Sequence, residues 1–338
     1  MDRCALRAQL RGDAMIGTAF PAGQVLLVEQ PGPWGRTGLK ESHFDATVAG
    51  ELETKASTHG IRVLAIRKPG RTPRGASRHW GYADCRPGRE RLLWGGYTDD
   101  RELLSIDPAA VAAGAVPVVS GAPGQPDHAP TYLVCAHSKH DTCCALRGRP
   151  VAAALADQRP GHVWECSHVG GERFAANVLV LPLGMMYGRV LPFAAAEFAA
   201  AADEGRVIDA LLRGRIGLVP VVQAALAFTH AQLAIFEASA LTVQGWRKTA
   251  PMEAVVTLGT PHGPVRVTVE IEKALPHNLT CHAAGPAPAL SYRPVAIVPV
   301  QRPVYVDVNN DADIDNDAKA LPPDDPAVDV DVDPEGPA

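Results

Sequence analysis

Apolar runs of four to seven residues, bounded by Gly and Pro, recur along the chain, and most of them read as strands. Gln24 to Gln30 (QVLLVEQ) lies between Gly23 and Pro31-Gly32-Pro33 and predicts a buried strand. Leu39 to His59 has helical composition, Ile61 to Ile66 (IRVLAI) predicts a second strand, and Arg78 to Asp84 and Arg91 to Tyr97 predict two more. Residues 1–15 read as a short helical lead, and Arg101 to Leu104 as the start of another helix. Residues 115–130, with four Pro and two Gly, read as a linker.

A second series follows in the same order. Tyr132 to Cys135 predicts a strand, and Cys144 to Leu155 an Ala/Leu-rich helix whose regular start Gly148 and Pro150 delay. Val163 to Ser167 predicts a strand, then Val178 to Leu181 and Met185 to Val190 a hairpin, then Pro192 to Asp203 a helix opened by proline. Each series, β-α-β-β-β-α, fits a thioredoxin-like layer of mixed sheet with helices on it. The repeat rests on element order alone, because the two stretches are not visibly alike in sequence. Val207 to Leu212 and Val221 to Leu233 read as helical, Ala254 to Leu258 and Val265 to Glu270 as a hairpin, and Tyr292 to Pro299 as a further strand. The expected class is α/β. Two thioredoxin-like units in tandem (15–120 and 128–240) precede a β-rich C-terminal segment (241–305) and an acidic tail (307–338) too poor in apolar residues to order itself.

Charge sharpens that division. The net charge of −5 combines a tail with ten Asp, one Glu and one Lys with a remainder of +5. No Lys/Arg stripe interleaves with aromatics, which argues against a nucleic-acid partner. No apolar run reaches about 18 residues, so no membrane span is expected. The first residues lack a secretory h-region. Seven cysteines, an odd number with two adjacent, argue against a disulfide framework and for the reducing cytoplasm.

Candidate chemistry concentrates in one stretch, Cys135 to Asn177. Four cysteines (Cys135, Cys143, Cys144, Cys166) stand there beside His137, His140, His162 and His168. Thiolate and imidazole hold soft and borderline metals. Cys135 ends a predicted strand and Cys144 opens a helix, which brings both to one end of a sheet near free backbone N–H groups. Cys143 and Cys144 diverge as neighbours, so one is a ligand and the other a spectator, with a strained vicinal disulfide as a further reading. Cys166 and His168 share a face, and Gly170-Gly171 lets the backbone approach closely. Buried structural cysteine is the plain alternative. Four N/S ligands suit zinc as well as an iron–sulfur cluster, but neither a C-x2-C zinc ribbon nor a Rieske pattern occurs. Metal-free thiol redox chemistry at Cys135, Cys143 or Cys144, and a zinc-stabilised scaffold without catalysis, remain alternatives.

LLVEQPGPWG, CAHSKHDTCC, RGRPVAAAL and VWECSHVGGERFAANVLVLPLGMMYGRV resemble the sucrase/ferredoxin-like family, over roughly residues 15–300 and most densely over 131–190. The resemblance implies a thioredoxin-like ferredoxin domain and a [2Fe–2S] cluster held by a C-x8-C pair and an H-x3-H pair. Cys135 and Cys144 match the first pair, and His168 matches the first histidine of the second. Glu172 occupies the remaining position, a departure from the pattern. Glu172 is then a hard fourth ligand, or Cys166 or Cys143 substitutes, or the cluster is labile or lost. Arg147 and Arg173 would balance cluster charge, and Gly170 and Gly171 would pack against the cofactor. The implied role is one-electron transfer or redox sensing with a partner protein. Mixed Cys/His ligation would raise the potential above the all-cysteine value and make it pH-sensitive.

Overall fold

Strand β1 (Gln24–Glu29) is buried at all six positions, as a central strand covered on both faces must be. In the computed structural model, which describes residues 3–70 and 77–300, it lies inside a ten-stranded mixed sheet. Helix α1 (Cys4–Leu10) precedes it. Helix α2 (Ala46–Thr58) follows, its first turn capped by the Asp45 carboxylate, which accepts the Thr47 and Val48 N–H groups. Then come β2 (Ile61–Arg67), β3 (Arg78–Asp84), β4 (Arg91–Tyr97) and α3 (Pro108–Ala113). Three short strands, β5 (Val118–Val119), β6 (Ala122–Pro123) and β7 (Gln125–Asp127), end the first half.

The second half holds β8 (Thr131–Cys135), α4 (Thr142–Gln158), β9 (Val163–Cys166), β10 (Val178–Leu181), β11 (Met185–Tyr187), α5 (Ala195–Asp203) and β12 (Leu212–Arg215). After α6 (Pro220–Leu233) come β13 (Thr242–Ala250), β14 (Glu253–Gly259), β15 (Val265–Lys273) and β16 (Leu290–Pro299). These last four form a separate antiparallel sheet. Val221, Val222 and Ala225 of α6 share a core with Val256, Leu258 and Val267 of that sheet.

One pairing scheme occurs twice. Strand β1 runs parallel to β2 and antiparallel to β3, which pairs with β4. Strand β8 runs parallel to β9 and antiparallel to β10, which pairs with β11. The halves meet edge to edge where β2 and β9 run antiparallel, at Ile66 opposite Cys166 and Arg67 opposite Glu165. Arg67 Nε and Nη2 donate to Glu165 Oε2 across this seam, at 2.8 and 2.7 Å. The two-residue period sorts the faces. Leu133 and Cys135 of β8 face a core shared with Leu64, Ile66, Cys144 and Cys166, whereas Tyr132 and Val134 face α4 and α5.

Several expectations need correction. Residues 115–130 are not a bare linker, because β7 pairs with β4 and ends the sheet. Helix α2 starts at Ala46, well after Leu39. Helix α4 starts at Thr142 with Asp141 as its cap, so Gly148 and Pro150 lie inside it and delay nothing. Val207–Leu212 is not an α-helix: one 3-10 turn (Asp209–Leu211) leads into β12. Strand β13, rich in polar and charged residues, carried no apolar signal. The expected acidic tail, 307–338, lies outside the described residues.

One buried carboxylate in this sheet gives a pH test. Glu29 Oε2 accepts the His79 backbone N–H at 2.8 Å and faces His79 Nδ1 at 2.6 Å. Burial opposes its ionisation, but the His79 hydrogen bonds outweigh burial and lower its pKa. The stabilisation is therefore present above the ordinary carboxyl range and lost as pH falls through the lowered folded value. Glu29→Gln should lower stability by about 1–2 kcal/mol at pH 7. Urea denaturation midpoints of the two proteins should converge in acid, and a gap that persists once Glu29 is protonated would contradict the assignment.

Candidate metal centre

Two backbone devices bring the sulfurs together. Cys135 is the last residue of β8, and Cys144 lies in the first turn of α4. Gly148, one turn after Cys144, passes directly over the Cys135 carbonyl. A Cβ at Gly148 would fall inside 3.0 Å of that oxygen, so only glycine allows this approach of helix to strand. Both cysteines are buried, Cys135 at 1% and Cys144 at 0% exposure.

His168 comes from the loop after β9. Its N–H donates to His137 Nδ1 at 3.3 Å, and its carbonyl accepts from Arg62 Nη2 at 3.0 Å. Gly170 and Gly171 both have positive φ, 75° and 73°, which reverses the chain tightly. A buried guanidinium holds this turn from beneath. Arg213 Nη1 donates to Gly170 O at 3.0 Å and to Asn177 Oδ1 at 2.8 Å, while its other nitrogens donate to Thr18 Oγ1 and Thr18 O.

The sulfurs of Cys135 and Cys144 and a ring nitrogen of His168 lie within 4.8 Å of one another. Cys144 Sγ is 4.0 Å from His168 Nδ1. A second triad, His140, His168 and Glu172, meets the same limit and shares His168. Glu172 Oε1 is 3.5 Å from His168 Nε2 and 3.7 Å from His140 Nε2, and the two imidazoles stack at 3.7 Å. The donors thus form two adjoining sets, one of sulfur and one of nitrogen and carboxylate oxygen, joined through one imidazole.

Electrostatics follow that division. The Cys144 thiol donates to Cys135 and holds it well below the usual thiol range; burial opposes this and His168 reinforces it. The same hydrogen bond, together with burial, raises Cys144. Burial opposes the ionisation of Glu172, yet His140 and His168 hold its carboxyl at about 2. The Glu172 hydrogen bond in turn raises His140 against the effect of burial. Arg62, itself lowered by burial, places positive charge near Cys166 and Cys135.

Of the residues singled out from sequence, Cys135, Cys144 and His168 converge. Glu172 joins the imidazole set and not the sulfur pair. Cys166 is fully buried and stands opposite Cys135 in the parallel β8–β9 register, outside both triads. Cys143 points the other way, 3.4 Å from Cys281 and 3.6 Å from Cys4. Arg147 reaches toward Ala175 O, and Arg173 pairs with Asp13 at 3.6 Å. The cations nearer the sulfurs are Arg62 and Arg213, which no local pattern marked. His140 was visible in the Cys/His stretch, but nothing in its spacing tied it to His168.

Residues 15–214 match the family model described as sucrase/ferredoxin-like. The chain belongs to the sucrase/ferredoxin-like family. That region includes β1 through most of β12 and both triads, but neither Cys4 nor Cys281. Within 101 residues the chain is 29% identical to the altered inheritance of mitochondria protein 32 of Candida glabrata, which covers 25% of this chain and 32% of that protein. The chain therefore spans about a third of the length of the curated relative it matches. No solved structure matches the chain significantly. Among the described residues, no helix is long and apolar enough to cross a membrane.

Proposed function

We propose that this protein is a [2Fe–2S] electron-transfer or redox-sensing protein built from two thioredoxin-like units, with its cluster in the second. The carrying observation is the pair of adjoining triads. Two thiolates and an imidazole beside a further imidazole and a carboxylate suit a two-iron centre with sulfur ligands at one iron and nitrogen at the other. Cys135 and Cys144 would hold the first iron and His168 the second. The fourth position has two candidates, Glu172 and His140, both beside His168. The strand order β2-β1-β3-β4, repeated as β9-β8-β10-β11, supports the tandem reading.

When bound, such a cluster supplies reversible one-electron transfer. The chain's own groups set the conditions. Burial of Cys135 and Cys144 keeps water from the sulfur side. His140 and His168, with side chains 33% and 17% exposed, form the accessible side. They line a groove with Arg36, Thr37, Gly38 and Leu39, where a redox partner protein would dock. If His140 is the ligand, the Glu172 carboxylate beside both imidazoles helps fix their placement, and the Gly170 N–H donates to His168 Nε2 at 3.0 Å. Arg62 and Arg213 offset the negative charge of the thiolates. The seven cysteines, all free of disulfides, suit a reducing compartment such as the cytoplasm.

Anaerobically purified protein should be coloured and contain iron and acid-labile sulfide. Cys135→Ser and Cys144→Ser should each reduce both by at least about tenfold, as expected when a ligand is removed. Comparing His140→Ala with Glu172→Ala identifies the fourth ligand, because only loss of the true ligand shifts the visible and electron paramagnetic resonance spectra strongly. Wild-type protein that stays colourless and iron-free after anaerobic reconstitution would return the Cys135–Cys144 pair to metal-free thiol chemistry.

A further inference from the structure

Three cysteines far apart in sequence meet on the other side of the vicinal pair. Cys4 opens α1, Cys143 lies in the first turn of α4, and Cys281 lies in the connection between β15 and β16. Their sulfurs form a closed triangle: Cys4 to Cys143 3.6 Å, Cys143 to Cys281 3.4 Å, and Cys281 to Cys4 3.5 Å. The Asp141 carboxylate joins them, with Oδ1 3.9 Å and Oδ2 4.0 Å from Cys4 Sγ. Cys4, Cys143 and Asp141 are buried, at 3%, 1% and 0% exposure.

We infer that Cys4, Cys143, Cys281 and Asp141 form a structural zinc site separate from the iron-binding triads. A tetrahedral zinc ion with Zn–S bonds of about 2.3 Å holds its thiolate sulfurs about 3.8 Å apart. The triangle is within a few tenths of an ångström of that size. Sulfurs in mutual contact leave room for one ion among them, and none for inorganic sulfide. Three thiolates and a carboxylate are a borderline-soft donor set that suits zinc.

The carboxylate is held in place beside the sulfurs. Asp141 Oδ1 accepts the Cys143 N–H and Oδ2 the Cys281 N–H, both at 2.7 Å, which fixes the carboxylate between two of the sulfur-bearing residues. An ionised carboxylate offers about four lone-pair sites, so each oxygen keeps one for the metal. A cleft lined by Arg3, Arg7, Thr142, Asn278 and Thr280 leads to the triangle and gives an ion its entry. The site ties the N-terminal segment and the β15–β16 connection to the start of α4.

The test is metal analysis of the full chain, purified under reducing, zinc-replete conditions. Wild type should carry about one zinc per chain, the stoichiometry of a closed four-ligand site. Cys281→Ser and Cys4→Ser should lose that zinc and keep any iron and sulfide, whereas Cys135→Ser should keep the zinc. The zinc count is read even if the protein proves iron-free, so the two readings fail separately. If the variants do not fold, titration of metal-stripped Cys135→Ser protein, which lacks the first sulfur pair, with Co²⁺ should still produce thiolate-to-cobalt charge-transfer bands in the near ultraviolet. Zinc-free wild type, zinc unchanged in Cys281→Ser, no cobalt–thiolate bands, or a disulfide among the three cysteines under these conditions would each overturn the proposal.

Discussion

Gly148→Ala should destabilise the protein by about 3 kcal/mol, as overpacking against fixed backbone does, and strip the cluster proposed above. Two effects oppose each other here. Alanine is the better helix former by about 1 kcal/mol, which alone would stabilise α4. The added Cβ, however, would meet the Cys135 carbonyl at a separation that no Cβ adopts, and a backbone oxygen at the end of a buried strand has nowhere to go. Helix α4 must then lift off β8 and carry Cys144 away from Cys135. The steric penalty wins. Urea unfolding should show the lower midpoint, and iron content the loss of the centre. Gly245→Ala is the control: nothing lies within 4 Å of an added Cβ there, so its effect should stay within about 0.5 kcal/mol. Equal stability of Gly148→Ala and wild type would mean that helix and strand do not touch as described.

Arg213→Met should have an effect of similar size for the opposite reason, a partner removed and not an atom added. Burial pulls this guanidinium down to about 9, still protonated at neutral pH. Four of its five donors satisfy Gly170 O, Asn177 Oδ1, Thr18 Oγ1 and Thr18 O. Methionine matches its bulk but leaves these acceptors dry and unpaired, a loss of about 3–5 kcal/mol by analogy with broken buried polar networks. The damage should be local as well as global. Amide hydrogen exchange at Gly170 and Gly171 should accelerate more than at β1, and His168 should hold metal less firmly. Arg213→Lys, with one ammonium in place of the planar fork, should recover only part of the loss. Exchange that rises uniformly along the chain would rule out a specific support of the His168 turn.

The strands that were legible carry their information locally. Arg78–Asp84 and Arg91–Tyr97 were bounded to the residue, because apolar side chains recur between turn-forming flanks. Strand β12 was misread because Leu212-Arg-Gly-Arg is short and charged, and Arg213 is buried only because tertiary acceptors receive it. The polar β13 was missed for a related reason: most of its positions face solvent, so no alternation marks it. Convergence of Cys135, Cys144 and His168 was legible because all three close a strand or open its connection at one end of the sheet. Nothing in the sequence links Cys4 to Cys281, since 277 positions of chain separate two sulfurs that lie 3.5 Å apart. Local spacing carries no trace of such a meeting.

The seam between β2 and β9 has a consequence for any attempt to divide the chain. Each strand lends the other its outer row of peptide groups through two register pairs and the Arg67–Glu165 bridge. Cleaving the polypeptide between β7 and β8 and separating the pieces would bare two apolar ribbons, IRVLAIR and VWEC, each ready to recruit a stranger. Neither fragment should remain monodisperse alone, while mixing them should restore solubility as the two ribbons find each other again.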